Sequence, residues 1–268
     1  MHWDIDPVLI RLGPLPLRWY GLFFMIGLLL AIRELPRSFH RRDLPVAHAD
    51  ALTLWLPIGM LIGAHLIHLL FYEPKAFLYN PKRIIEIGSG LASHGGGLGV
   101  ALTLYFFTRK HRQDWHRYAD GVIVAAVWVL PFVRIGNFFN SEIYGRVTDL
   151  PWGVIFDRHG FTEPRHPSQF YEAAVAFVLI ALTAWLDRRY RARLRPGALV
   201  YLALGFYFST RILLEYSKEY QVLSAHFPFT MGQLLSMPVV LLCLFQLSCN
   251  KTRKLWPLLP PHPKREAP

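Results

Sequence analysis

The apolar residues of this chain come in long blocks, and block length constrains its fold more than any other feature. Seven blocks can be drawn, at roughly 18–35, 51–72, 91–108, 119–139, 168–186, 197–215 and 230–249. Each runs to about 17–22 residues, what a helix rising about 1.5 Å per residue needs to cross roughly 30 Å of hydrocarbon. In lipid every backbone N–H and C=O must be bonded within its own segment, so such blocks fold as helices. With 53% of its 268 residues hydrophobic and only 18% charged, the chain is unlike a water-soluble domain of this size. The blocks predict an all-α, polytopic integral membrane protein of about seven transmembrane helices. They form one transmembrane domain over residues 1–250, followed by a Pro-rich tail at 251–268.

The distribution of charge orients these helices. Basic residues cluster after the first block (Arg33, Arg37, Arg41, Arg42) and after the third (Arg109, Lys110, Arg112, Arg117). They cluster again after the fifth (Arg188, Arg189, Arg191, Arg193, Arg195) and after the seventh (Lys251, Arg253, Lys254, Lys264, Arg265). That side holds 18 of the 29 lysines and arginines, which makes it the cytoplasmic side by the positive-inside rule. The N-terminus is then outside, on the periplasmic face, and the C-terminus is in the cytoplasm. Because these clusters flank apolar blocks, the net charge of +11 points to anionic lipid rather than to nucleic acid. The N-terminal MHWDIDPVLIRLGP has no apolar core before a cleavage site and does not read as a removable signal peptide. Cys243 and Cys249 sit six apart on one helix, so neither a disulfide nor a metal site is expected of them.

The outer face carries the segment up to Trp19 and the connections 73–90, 140–167 and 216–229. Polar residues that plain membrane helices avoid gather there. Arg134, Asn137, Asn140 and Glu142, with Gly136, Gly145 and Arg146, fall within VRIGNFFNSEIYGR. A lone arginine at a helix end snorkels to the headgroups. Arginine grouped with asparagines also suits an anionic headgroup, because guanidinium forks onto phosphate and amides donate to ester or hydroxyl oxygens. His94 opens the third block in SHGGG, where the glycines permit close approach by a ligand or another helix. A neutral imidazole there is either a structural hydrogen-bonding group or a base for a thiol or alcohol. Tyr207, Arg211 and Glu215 follow at intervals of four on one face of the sixth block. Arg211 and Glu215 form an intrahelical ion pair, or Arg211 adds a second positive charge for one phosphate. In RHPSQFYEA, residues 165–173, Ser168 is the expected N-cap and the polar residues pin the preceding loop to the bundle. Trp19 and Tyr20 suit an aromatic belt, with Tyr20 also able to face a headgroup. No G-x-S-x-G, H-E-x-x-H or phosphate-binding glycine loop occurs, so serine and zinc-hydrolase chemistry have no support.

Taken in order, WYG, SHGG, RIGNFFNSEIYGR, RHPSQFYEA, the F-x-x-R-x-x-x-E around Arg211 and MGQLLS resemble the prolipoprotein diacylglyceryl transferase family. The match runs from about residue 16 to 240. Three departures are Ser93, where the family often has an aromatic residue, His65, where it often has arginine, and the loop 146–163, which is short beside some relatives. The resemblance implies a multi-pass enzyme of the bacterial cytoplasmic (inner) membrane, working toward its outer face. Such an enzyme moves the diacylglyceryl group of phosphatidylglycerol onto the lipobox cysteine thiol of a preprolipoprotein, releases glycerol 1-phosphate, and needs no cofactor. It implies catalytic roles for His94, Arg134 and Arg211. It further implies contacts to phosphatidylglycerol from Arg134, Tyr20, Asn137, Asn140, Glu142, Gly145, Tyr207 and Glu215. The expected partners are that lipid, the lipobox peptide and surrounding membrane lipid, with the enzyme a monomer. An anion transporter would need polar residues on several helices and paired repeats, and a phospholipase would need its own nucleophile or activated water.

Overall fold

The structure is a computed structural model that describes residues 1–71, 73, 79–85, 92–219 and 228–249. It is mostly helical, and each apolar block lies on helix: α1 Trp19–Arg41, α2 Val46–Phe71, α3 Ser93–Lys110, α4 Trp115–Ala126, α5 Val129–Phe139, α6 Ser168–Tyr190, α7 Ala198–Leu214 and α8 Met231–Ser248. Among the described residues, five stretches are long and apolar enough to cross a membrane: Val46–Phe71, Trp115–Phe139, Ser168–Tyr190, Ala198–Ser217 and Met231–Ser248. The first and third blocks are not among them. The apolar run of α3 is diluted by Gly95, Gly96, Gly97 and Gly99, with Ser93 and His94 before them and Arg109–Lys110 at its end. In α1 the last turns carry Arg33, Glu34, Arg37, His40 and Arg41.

The fourth block is one apolar stretch but two helices. Pro131 has no N–H to return to Val127, and the Val127 carbonyl instead takes the Leu130 N–H at 3.3 Å. Trp128 likewise bonds back three residues, to Ala125, so the chain tightens before α5 begins.

The described residues divide into two compact units, one within 1–34 and 122–249, the other within 35–121. The tail, 251–268, lies outside the described residues.

In the second unit, α2 and α3 run antiparallel along a glycine seam. Gly59 and Gly63 of α2 face Gly99 and Gly95 of α3, and Thr103 packs on Gly59. A Cβ on any of these four would overlap the opposite backbone or side chain. The small residues bring the two backbones together where dispersion rather than hydrophobicity must hold helices. The glycines after His94 therefore serve helix approach, with Gly97 alone facing open space. His65, buried on α2, donates from Nε2 to the Arg83 carbonyl at 3.0 Å, and His48 meets the Tyr118 hydroxyl at 2.6 Å.

The first unit holds α5–α8 and the start of α1. Gly27 of α1 packs on Val129 and Phe132, and Gly136 of α5 packs on the Tyr20 ring. Val127, Leu179, Ile180 and Ala203 form a buried cluster between helices. The all-α expectation misses two small β-pairs. β1 (His2–Trp3) runs parallel to β4 (Ile155–Phe156), and β2 (Val8–Leu12) pairs antiparallel with β3 (Leu15–Arg18). The β2–β3 turn is Gly13–Pro14, with Gly13 at φ 60°, a left-handed position that glycine occupies without strain. The Trp3 ring packs, tilted by 51°, against Phe138 at 4.3 Å and buries with Val154 and Phe156, which ties the N-terminal segment to the 140–167 connection. Aromatic burial of this kind fixes segments that lack long elements of their own.

Candidate functional site

One end of the first unit collects the start of α1, the end of α5, the start of α6, the end of α7 and the start of α8. At its centre is Glu172, on the first turns of α6 and 5% exposed. Its Oε2 lies 3.2 Å from Arg134 Nε, and its Oε1 lies 3.4 Å from Arg211 Nη1 and 2.8 Å from Lys218 Nζ. Lys218 also stands 3.5 Å from Glu215 Oε2. Tyr207 accepts a hydrogen bond from Arg134, and Tyr20 lies within electrostatic reach of Arg134 and Glu142. Three cations thus surround two buried carboxylates. In a poorly solvated site that excess of positive charge attracts an anion strongly.

Arg211 is held by Glu172 from another helix rather than by Glu215. Glu215 falls in the 3-10 turn Glu215–Ser217 that follows α7, and faces Lys218. It also abuts Gly232, where a side chain would collide with its carboxylate. The start of α8 is shaped to this contact. Thr230 and Gln233 form a capping box, and Gln233 donates onward to the Ile212 carbonyl at 3.3 Å. This gives Gly232 and Gln233 of MGQLLS distinct tasks.

The loop after α5 forms the next part of the site. Asn137 and Asn140 each donate to Glu142, at 3.1 Å, one to either carboxylate oxygen. Ser141 and Ile143 take positive φ values of 55° and 58°, a strained conformation for a β-branched isoleucine. Carbonyls of this loop are gripped from outside. Ser168 Oγ donates to Ile143 O at 2.7 Å, Gln169 Nε2 to Glu142 O at 2.6 Å, and His159 to Ser141 O at 2.8 Å. Ser168 is therefore a loop clamp. The expected N-cap role falls instead to Pro167, with no side-chain cap, because helix begins at Ser168 itself.

Gly145 pairs with Lys218 across an isolated bridge and donates to the His166 carbonyl at 2.9 Å. A Cβ there would stand 2.5 Å from both His166 Cβ and the Ser217 carbonyl, so only glycine fits. Arg146 bonds the same strand, from N to Ser217 O at 2.9 Å and from Nε to Lys218 O at 2.7 Å.

Of the residues singled out from sequence, Tyr20, Arg134, Asn137, Asn140, Glu142, Gly145, Tyr207, Arg211 and Glu215 all fall in this unit. His94 lies in the other, exposed at the start of α3. Sequence reasoning missed Lys218 altogether and gave Glu172 only a loop-pinning role. A carboxylate in the first turns of an apolar helix was the available signal for Glu172. Among the described residues, Arg211 Nε, Asn137 Oδ1, Asn140 Oδ1 and Gln169 Oε1 are buried without a hydrogen-bond partner. These are donors and acceptors of the kind a polar headgroup engages. No group of three or more His, Cys, Asp or Glu among the described residues has a metal-binding arrangement.

The profile of the prolipoprotein diacylglyceryl transferase family matches residues 7–249. The phosphatidylglycerol--prolipoprotein diacylglyceryl transferase of Tolumonas auensis is 40% identical, over 90% of this chain and 94% of its own. The protein of the same name from Geobacter sulfurreducens is 38% identical, over 94% and 98% of the two chains. That of Phenylobacterium zucineum is 35% identical, over 97% and 98%.

Proposed function

The chain belongs to the prolipoprotein diacylglyceryl transferase family, and we propose that it transfers the diacylglyceryl group of phosphatidylglycerol to the lipobox cysteine of preprolipoproteins, the first step of lipoprotein maturation. The observation that carries this reading is the convergence of Arg134 and Arg211, from different helices, on one buried carboxylate with Lys218 beside them. A phosphate entering there meets two guanidiniums already fixed in place.

The substrate thiolate attacks the sn-3 carbon of the diacylglycerol half. The sulfur–carbon bond forms as the carbon–oxygen bond to phosphate breaks, and glycerol 1-phosphate leaves with the electron pair. Arg134 and Arg211 stabilise the charge that grows on the leaving phosphate, and preorganised charge of this kind is usually the largest catalytic term. The enzyme supplies no nucleophile. His94 is assigned the thiol proton on the family resemblance and on imidazole chemistry. Tyr20, Asn137, Asn140, Glu142, Gly145, Tyr207 and Glu215 serve the headgroup, by touching it or by holding the surrounding groups in place.

The reading includes a topology of seven spans, with the N-terminus outside, the C-terminus in the cytoplasm of a bacterial inner membrane and the site toward the outer face; the distribution of Arg and Lys supports it. The active form is a monomer.

Purified enzyme in vesicles of phosphatidylglycerol with a lipobox peptide tests the reaction. Glycerol phosphate release should require the peptide thiol and should be lost in Arg134→Ala. Release that ignores the peptide would make the protein a lipid hydrolase.

A further inference from the structure

Lys218 is the third cation of the buried cluster, and it does more than fill space. Its ammonium donates to Glu172 Oε1 at 2.8 Å and lies 3.5 Å from Glu215 Oε2. It is only 4% exposed. A buried ammonium is retained only where opposite charges balance it. Its main chain is held as well. Lys218 bridges Gly145, and its carbonyl accepts from Arg146 Nε at 2.7 Å. The loop that carries Asn140 and Glu142, just after Asn137 of α5, is thereby tied to the segment that carries the lysine.

Without Lys218, two arginines would face two buried carboxylates. That buried cluster would be neutral, and Glu172 and Glu215 together would draw on both guanidiniums in full. With it, the cluster keeps one positive charge in excess. We propose that Lys218 is a positioning residue that occupies Glu172 and Glu215 so that Arg134 and Arg211 remain available to a lipid phosphate. This rests on the reading of function above. Lysine suits the task because its compact charge can sit between two carboxylates without reaching the substrate itself.

The test compares full-length wild type with Lys218→Met, Lys218→Arg and the double variant Glu215→Gln/Lys218→Met. Each is assayed with phosphatidylglycerol vesicles and a lipobox peptide. Thermal unfolding is followed in parallel, and sn-glycerol 1-phosphate is added as a competing anion. Lys218→Met should raise KM for phosphatidylglycerol about tenfold while leaving KM for the peptide unchanged, since the loss falls on anion binding. It should weaken inhibition by sn-glycerol 1-phosphate in proportion. Lys218→Arg should restore KM to within about threefold of wild type, because it keeps the charge. The double variant, which removes one cation and one carboxylate together, should do the same.

An unchanged lipid KM in Lys218→Met overturns the proposal, as does a parallel rise in both KM values that follows lost thermal stability. If Lys218→Met does not fold, the double variant decides alone. A near-normal lipid KM supports charge compensation, and a tenfold rise defeats it. Wild type that fails to transfer at all would instead remove the functional reading.

Discussion

Arg211 of α7 reaches across to Glu172 of α6, at 3.4 Å, although Glu215 stands only four residues further along its own chain. Arg134 of α5 meets the same carboxylate at 3.2 Å. Three helices are thus joined through one buried side chain. Removing one partner of such a group strands the others without compensation, typically at about 3–5 kcal/mol.

Arg134→Ala and Arg211→Ala should each lower kcat/KM by about 100- to 1000-fold, the usual cost of losing a preorganised donor to a developing oxyanion. Lysine should rescue either site incompletely, because a point charge cannot reproduce the guanidinium fork. Steady-state transfer to a lipobox peptide measures both. A variant within a few-fold of wild type would remove that arginine from the mechanism.

His94→Asn should slow transfer by about 100-fold at pH 7, within the range for loss of a general base. The sign of its pH dependence follows from the substrate. With the base gone, only thiolate already formed can react. The residual rate should then climb with pH until the thiol, of unperturbed pKa about 8.5, is fully ionised. A pH–rate profile of the variant parallel to that of wild type would deny His94 this role.

Gly145→Ala puts a methyl 2.5 Å from the Ser217 carbonyl and His166 Cβ. The bridge to Lys218 should open, and the loop bearing Asn140 and Glu142 should shift with it. Activity should fall by more than about tenfold, as misplacement of an ångström at a positioning segment commonly costs more than that. The expected loss of stability is about 1–3 kcal/mol, the usual cost of overpacking. Peptide transfer and thermal unfolding report the two effects separately.

Along the glycine seam, Gly99→Leu should prevent α2 and α3 from closing on each other, whereas Gly97→Ala, which faces open space, should be tolerated. Detergent-solubilised protein should lose its unfolding transition, or several degrees of it, in the first variant only. Equal behaviour of the two would mean that the seam does not hold this pair.

Cys243→Ala with Cys249→Ala should retain transfer activity. Cys243 is buried on α8 with its Cβ 3.4 Å from the position a side chain on Gly205 would take, so its contribution is packing. Alkylation of the wild type by a bulky reagent that reaches only exposed thiols should leave kcat unchanged. Loss of activity in the double variant with an intact fold would implicate a protein thiol.

Where helices form was legible from composition alone, because hydrocarbon leaves a chain few other ways to satisfy its backbone. Two features escaped that logic. The break at Val127–Trp128 depends on Pro131 acting through a single missing N–H within an otherwise continuous apolar run. The β1–β4 pair, His2–Trp3 with Ile155–Phe156, is two residues long, too short to carry a periodicity, and its strands are held by Trp3 burying against Phe138.

The sequence by itself determined the helical blocks and most members of the polar cluster. Those are local properties, set by runs of side chains and by the cost of charge in lipid. Only the tertiary structure decided who pairs with whom. Glu172 and Lys218 lie 46 positions apart, and nothing in either neighbourhood specifies the other. Their meeting follows from helix ends converging at one end of the unit, where a buried charge must find its partner in space rather than along the chain.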